Sequence, residues 1–152
     1  MPLLIFSLRL KQLMDAEKLS VRKLSLQTKV DRSSITTYVQ GSSVPRVDAL
    51  ARIADYFEIN SDFLLGIDEE STYAYKTSCD YNEIQNVFVT RLKELMKEKQ
   101  LSQNKLAEKI KMQQASISKW LRGQTTPDIF ALIDLAKVFN CKVDYLIGRE
   151  RI

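Results

Sequence analysis

The sequence has no histidine and only two cysteines among its 152 residues. Without histidine, the chain lacks the Ser-His-Asp and Cys-His pairs of nucleophilic enzymes and any imidazole ligand for a metal. Cys79 and Cys141 do not form a CxxC motif, so no zinc site, redox motif or disulfide framework is visible. These absences argue against an enzyme, predict no cofactor and no metal, and suit a reducing, cytoplasmic environment.

Glycine and proline are also scarce, with four glycines and three prolines in the chain. A β-sandwich or barrel needs a turn about every 8–12 residues, so this scarcity favours helices with few interruptions. No apolar run reaches the roughly 18 residues of a membrane span, which predicts no membrane partner. The apolar segment at 1–10 lacks a basic start and a cleavage site, and we interpret it as the beginning of a helix.

The sequence repeats itself at an offset of 82 residues. Residues 6–66 align without gaps onto residues 88–148, and 22 of these 61 positions are identical. Two copies of this length are too few and too long for a solenoid, so the pattern indicates a duplicated domain. We predict domains at 1–66 and 82–152, joined by an acidic linker at 67–81.

Each copy predicts five helices. In the second copy, Ser102 is a suitable N-cap for a short second helix and Asp128 for the fourth. The second and third helices are separated by about three residues, which is the arrangement of a helix-turn-helix unit. The corresponding caps of helices two, three and five in the first copy are Ser20, Asp31 and Asn60.

Motifs in both copies point to one family. The second copy contains LSQNKLAEKIKMQQASISKWLRGQTTP, and the two copies end in SDFLLG and VDYLIG. On these motifs both copies resemble the Cro and phage-repressor (XRE) type of helix-turn-helix domain. The resemblance implies an all-α fold of two tandem five-helix, lambda-repressor-like domains. The first copy departs from the family at Val21, where glutamine is usual, and at Arg46, where a helix cap is expected.

The resemblance also implies which residues contact double-stranded DNA. Helix three of each copy would enter the major groove, with its first turn facing the base edges. Glutamine pairs with adenine, lysine and arginine with guanine, and small apolar groups contact the thymine methyl, so the copies should read different half-sites. The expected base readers are Gln114, Ala115 and Lys119 in the second copy and Arg32, Ser33 and Thr37 in the first.

A second set of polar residues is expected at the phosphate backbone, where contacts position a protein without reading sequence. One of them, Gln103, begins helix two, where N–H groups and the helix dipole favour an anion. Residues 88–152 carry 13 basic and 7 acidic side chains, against 9 and 7 in residues 1–66, so the second copy should dominate electrostatic affinity. The other expected phosphate contacts are Gln113, Arg122, Gln124, Thr125, Thr126, Ser42 and Ser43.

The leading hypothesis is a sequence-specific transcriptional regulator, a repressor from a bacterial or phage context, in which both copies bind DNA. A flexible linker of about 20 residues would let one chain span two half-sites about 34 Å apart. The alternative is that only the second copy binds DNA and the first is a protein-interaction module, as in an antitoxin or accessory repressor. Phe63 and Tyr145, paired in helix five, could form a lid on the core or a contact with a homodimer partner or another protein.

Overall fold

The computed structural model describes residues 2–152, with side chains described from Leu3 onward; Met1, the first residue of the predicted first domain, lies outside the described residues. The described chain is helical apart from two short strands, and five helices recur in each half, which confirms the predicted all-α class. The first half contains α1 (Pro2–Ala16), α2 (Val21–Thr28), α3 (Arg32–Gln40), α4 (Val47–Phe57) and α5 (Ser61–Leu64). The second contains α6 (Ile84–Lys99), α7 (Gln103–Ile110), α8 (Gln114–Leu121), α9 (Ile129–Phe139) and α10 (Val143–Leu146).

The buried apolar residues of both halves form one cluster, to which each half contributes equivalent positions of the repeat. Phe6 of α1 packs edge-to-face on Tyr38 of α3, with ring centroids 5.8 Å apart. Phe88 of α6 packs in the same way on Trp120 of α8, at 6.2 Å. All four rings are buried, so Tyr38 and Trp120 belong to the core. This packing fixes helix three of each half against helix one and turns its opposite face outward.

The predicted N-caps are mostly confirmed. Ser20 Oγ accepts the Lys23 N–H, Ser102 Oγ accepts the Lys105 N–H, and the side chains of Asn60 and Asp128 accept amides of α5 and α9. The prediction for Asp31 is wrong: it occupies the N-cap position of α3, but its exposed side chain makes no hydrogen bond to the helix. Water can solvate the first amides of a helix that begins at the surface, so no side-chain cap is required there.

The segment between the two halves is folded, so the expectation of a flexible linker is wrong. Strand β1 (Tyr75–Thr77) pairs antiparallel with strand β2 (Arg149–Arg151) near the C-terminus. A 3-10 helix at Tyr81–Glu83 then leads into α6. Backbone pairing and side-chain contacts together hold the linker against the domains, and a tether of this kind has little freedom to extend. None of the described helices is long and apolar enough to cross a membrane.

Candidate nucleic-acid interface

The outer face of α8 presents the three predicted base readers of the second domain. Ile117 and Trp120 occupy the inner face and are buried in the core. Gln114, Ala115 and Lys119 lie on the other side of the helix and are exposed. An 8-residue helix held by its apolar side leaves these three side chains available to a ligand as wide as the major groove.

Gln114 is held by a residue of the preceding helix. Its Nε2 atom donates a hydrogen bond to Oε1 of Gln103, at 2.5 Å. Gln103 is the first residue of α7 and a predicted phosphate contact, so the structure connects a predicted base reader to a predicted phosphate contact. This bond restricts the rotamers of both side chains before any ligand arrives, which lowers the entropy lost when they are ordered on binding.

The other predicted phosphate contacts of the second domain lie at the two ends of α8 and in the loop that follows it. Gln124, Thr125 and Thr126 are exposed, as are Gln113 at the N-cap and Arg122 at the C-cap of α8. The chain leaves the helix through Gly123, whose φ of +70° lies in the left-handed region that glycine adopts without strain. The Gln85 side chain also donates to the Gly123 carbonyl, at 2.9 Å, and so ties the loop to α6.

The first domain presents a smaller polar face. Arg32 and Ser33 at the start of α3 are exposed, as predicted base readers should be. Thr37, in contrast, is half-buried, and its hydroxyl is hydrogen-bonded to the Ser34 carbonyl and to Ser43 Oγ at 2.5 Å. Ser42 Oγ donates to the Thr37 carbonyl, at 3.2 Å. Thr37, Ser42 and Ser43 therefore bond mainly to one another.

The two domains also differ at the start of their second helix. The repeat places Val21 where the second domain has Gln103, and a valine side chain cannot hydrogen-bond to Arg32 at the position of Gln114. Exposed basic residues surround the second helix-turn-helix unit at Lys105, Lys109 and Lys111, in addition to Lys119 on α8. The second domain thus has both the better ordered polar face and the stronger positive charge.

Each of the two domains matches a known protein family. Residues 92–146 match a family described as helix-turn-helix, and residues 5–62 match one described as helix-turn-helix domain. The chain is a tandem XRE-type helix-turn-helix protein. Searches of curated proteins and of solved structures found no match. Domains of this family belong to DNA-binding regulators, and the two matched ranges contain every predicted base reader.

In this tandem helix-turn-helix protein, Phe63 and Tyr145 are covered by arginines of their own domains. The guanidinium of Arg9 lies over the Phe63 ring, 4.3 Å from its centroid, and also donates to the Phe63 carbonyl. Arg91 lies over the Tyr145 ring at 4.5 Å and donates to the Tyr145 carbonyl. These contacts fit the interpretation of a local lid, while a subunit contact through the same residues stays a prediction.

Sequence reasoning missed residues that organise the interface from outside it. Gln85 precedes the first aligned position of the repeat and Arg149 follows the last, so neither had an identical partner to mark it. Both nevertheless make long-range hydrogen bonds, Gln85 to the loop after α8 and Arg149 to α4 of the other domain. Arg149 stands directly after Gly148 in a charged ending that also contains Glu150 and Arg151, so the sequence does not distinguish it from its neighbours.

Proposed function

We propose that this protein is a sequence-specific transcriptional regulator that places α3 and α8 in the major groove of double-stranded DNA. The observation that carries the proposal is the outer face of α8, where Gln114, Ala115 and Lys119 lie together and Gln114 is fixed by Gln103. The Gln114 amide and the Lys119 amine match the hydrogen-bonding groups on the base edges of the major groove, and the Ala115 methyl matches the methyl group of thymine. The proposed mode of action is repression, because occupancy of a promoter requires nothing beyond tight and specific binding.

The two domains are proposed to contribute unequally. The second supplies most of the affinity, since it has the excess of basic residues and the ordered pair of glutamines. The first domain adds a smaller contact with DNA through Arg32 and Ser33, whose side chains are exposed. Arginine favours guanine, whereas glutamine favours adenine, so the recognised half-sites are expected to differ in sequence.

The proposal is tested by selecting DNA sequences that the full chain binds and then measuring variants on the selected site. Gln114→Ala and Lys119→Ala should each weaken specific binding by about 1–3 kcal/mol, with a much smaller effect on random DNA. Lys97→Ala removes an exposed lysine of α6 and serves as the control, with an unchanged ratio of specific to random binding. If neither α8 variant alters binding to the selected site, the assignment of base readers is wrong.

A second candidate function is favoured by the surface of the first domain. Leu4 and Leu8 are one turn apart on α1 and are 59% and 56% exposed, whereas the repeat has Asn86 and Thr90 at the equivalent positions. The fold does not need leucines there, and exposed apolar residues often mark protein contacts. In this alternative the first domain binds protein and only α8 reads DNA. Arg32→Ala would then leave DNA affinity unchanged, whereas the leading proposal predicts a loss.

A further inference from the structure

The two domains exchange helix caps across their contact. The carboxylate of Asp62 accepts the N–H of Val143, the first residue of α10, at 2.9 Å. The carboxylate of Asp144 accepts the N–H of Ser61, the first residue of α5, with both oxygens at 3.0 Å. The repeat relates Asp62 to Asp144 and Ser61 to Val143, so the contact is reciprocal. A contact of this kind is characteristic of two-fold related subunits, but here it occurs within one chain.

Arg149 fastens this contact from the C-terminal side. Its side chain is fully buried, with Nη1 2.5 Å from Asp144 Oδ1 and Nε 2.9 Å from Asp55 Oδ1. Its Nη2 donates to the carbonyls of Ile59 at 2.8 Å and Tyr75 at 3.1 Å. One guanidinium therefore joins the second domain to α4 of the first domain, to the connection between α4 and α5, and to the linker.

The linker is attached to the same place. Asp55 accepts the Thr77 N–H at 2.9 Å and the Tyr81 hydroxyl at 2.6 Å, in addition to Arg149. The guanidinium of Arg52 also lies over the Tyr81 ring, 4.2 Å from its centroid. The strands β1 and β2 add backbone pairing beside these contacts. Asp55 is thus bonded to the linker on both sides of the turn that leads into α6.

The number and direction of these bonds restrict how the domains can move. Guanidinium and carboxylate groups bond in fixed planar geometries, so a rotation of one domain against the other breaks several bonds at once. A buried charge left without its partner costs about 3–5 kcal/mol. Relative orientations of the two domains in which Arg149 or Asp144 loses its partner are therefore sparsely populated.

We propose that this interdomain clasp, formed by Arg149, Asp55, Asp62 and Asp144, sets the spacing and orientation of α3 relative to α8. The monomer then binds DNA at one half-site spacing, and Arg149 acts as a positioning residue for recognition. The inference rests on the proposed function, since it concerns two DNA-reading helices. It goes beyond that function because a chain with a flexible tether would read the same half-sites at many spacings.

The experiment measures the affinity of the full chain for the two selected half-sites while the number of base pairs between them is varied. One added base pair rotates the second half-site by about 34°. For the natural protein we expect one optimal spacing and a loss of affinity of up to about 100-fold away from it, because the second contact is then lost. Arg149→Met should flatten this profile to within about threefold, with its affinity for DNA carrying a single half-site unchanged.

A linker insertion provides the matched control. Gly-Ser-Gly-Ser placed between Glu69 and Glu70, both exposed, lengthens the tether upstream of β1 and leaves the clasp residues in place. The proposal predicts an unchanged spacing profile for this variant, whereas a spacing set by tether length would broaden. The fluorescence of Trp120, the one tryptophan of the chain, and helical circular dichroism establish that each variant is folded. If Arg149→Met is unfolded, Asp62→Ala takes its place with the same expected flattening.

Four results separate the inference from the function on which it rests. A natural protein that binds several spacings equally well, or an Arg149→Met protein that keeps a single optimum, overturns the clasp as the determinant of spacing. A uniform loss of affinity at all spacings would show that Arg149 is only structural, and also overturns it. Failure to select any DNA contradicts the proposed function itself, and is recognised before the spacing series begins.

Discussion

Asp62 of the first domain caps α10 of the second, and Asp144 of the second domain caps α5 of the first, but only Asp144 is paired with an arginine. Arg149 contacts Asp144 at 2.5 Å, and the repeat places Ile67 at the position equivalent to Arg149. Asp62 is therefore a buried carboxyl group beside a second carboxylate. Its burial, and then the charge of Asp144, raise the pKa of Asp62 from 3.8 to about 7, although the Val143 N–H and Lys142 act in the opposite direction.

This pKa predicts a pH dependence of stability that Asp62→Asn should remove. The raised pKa means that the folded protein binds a proton more tightly than the unfolded chain, so the stabilisation is complete below about pH 4 and is lost as the pH rises through about 7. The substituted asparagine keeps an Oδ1 acceptor for the Val143 N–H but carries no charge. Urea unfolding between about pH 5 and pH 8 should show a falling stability for the natural protein and a flatter one for the variant. Parallel curves would contradict this explanation.

Asp144→Asn, the same substitution at the position equivalent to Asp62, should lower the stability of the folded protein. Asp144→Asn removes the carboxylate that faces Arg149 and leaves a buried guanidinium with one fewer anion. We expect the free energy of unfolding at neutral pH to fall by about 3 kcal/mol, whereas Asp62→Asn should leave it unchanged or raise it. Equal effects of the two substitutions in urea unfolding would show that Arg149 does not distinguish the two carboxylates.

The bond between Gln103 and Gln114 predicts that these residues act together on DNA. Their amides are joined at 2.5 Å, so the loss of either one frees the side chain of the other. Affinities of Gln103→Ala, Gln114→Ala and the double variant for the selected site should show a coupling of about 0.5–1 kcal/mol. Additive effects would indicate that the two glutamines bind DNA independently.

The turn between α7 and α8 is strained at Lys111. This residue has a φ of +57°, in the left-handed region where a non-glycine residue costs about 1–2 kcal/mol, and Lys29 is equivalent to it in the first domain. Lys111→Gly should raise the stability by up to about 1 kcal/mol in thermal unfolding. Lys93→Gly, in the middle of α6, is the control and should lower it by about 1 kcal/mol. A lowered melting temperature for Lys111→Gly would refute the argument from strain.

The sequence is sufficient for features that depend on local pattern. Helix periodicity and the caps at Ser20 and Ser102 are visible within short windows, and the burial of the equivalent residues Tyr38 and Trp120 follows from the same helical spacing. Asp31 is an exception, because a side chain suitable for capping need not bond when water can reach the helix end.

The relation between the domains could not be predicted, because the residues that determine it are distant in sequence. Arg149 lies 94 positions from Asp55 and 74 from Tyr75, and the repeat has no equivalent of this cluster. From sequence alone, Asp62 and Asp144 are first-turn residues of their own helices. Both do lie in those first turns, but the sequence does not indicate that each carboxylate bonds to the first amide of a helix in the other domain.

Selection of bound DNA from a random pool by the full-length chain tests the central claim most directly. We expect a single footprint with two unlike half-sites at one fixed spacing, occupied by one chain. A palindrome of two identical half-sites occupied by two chains, or a single half-site that Arg32→Ala binds as well as the natural protein, would contradict the claim that α3 and α8 of one molecule read DNA together.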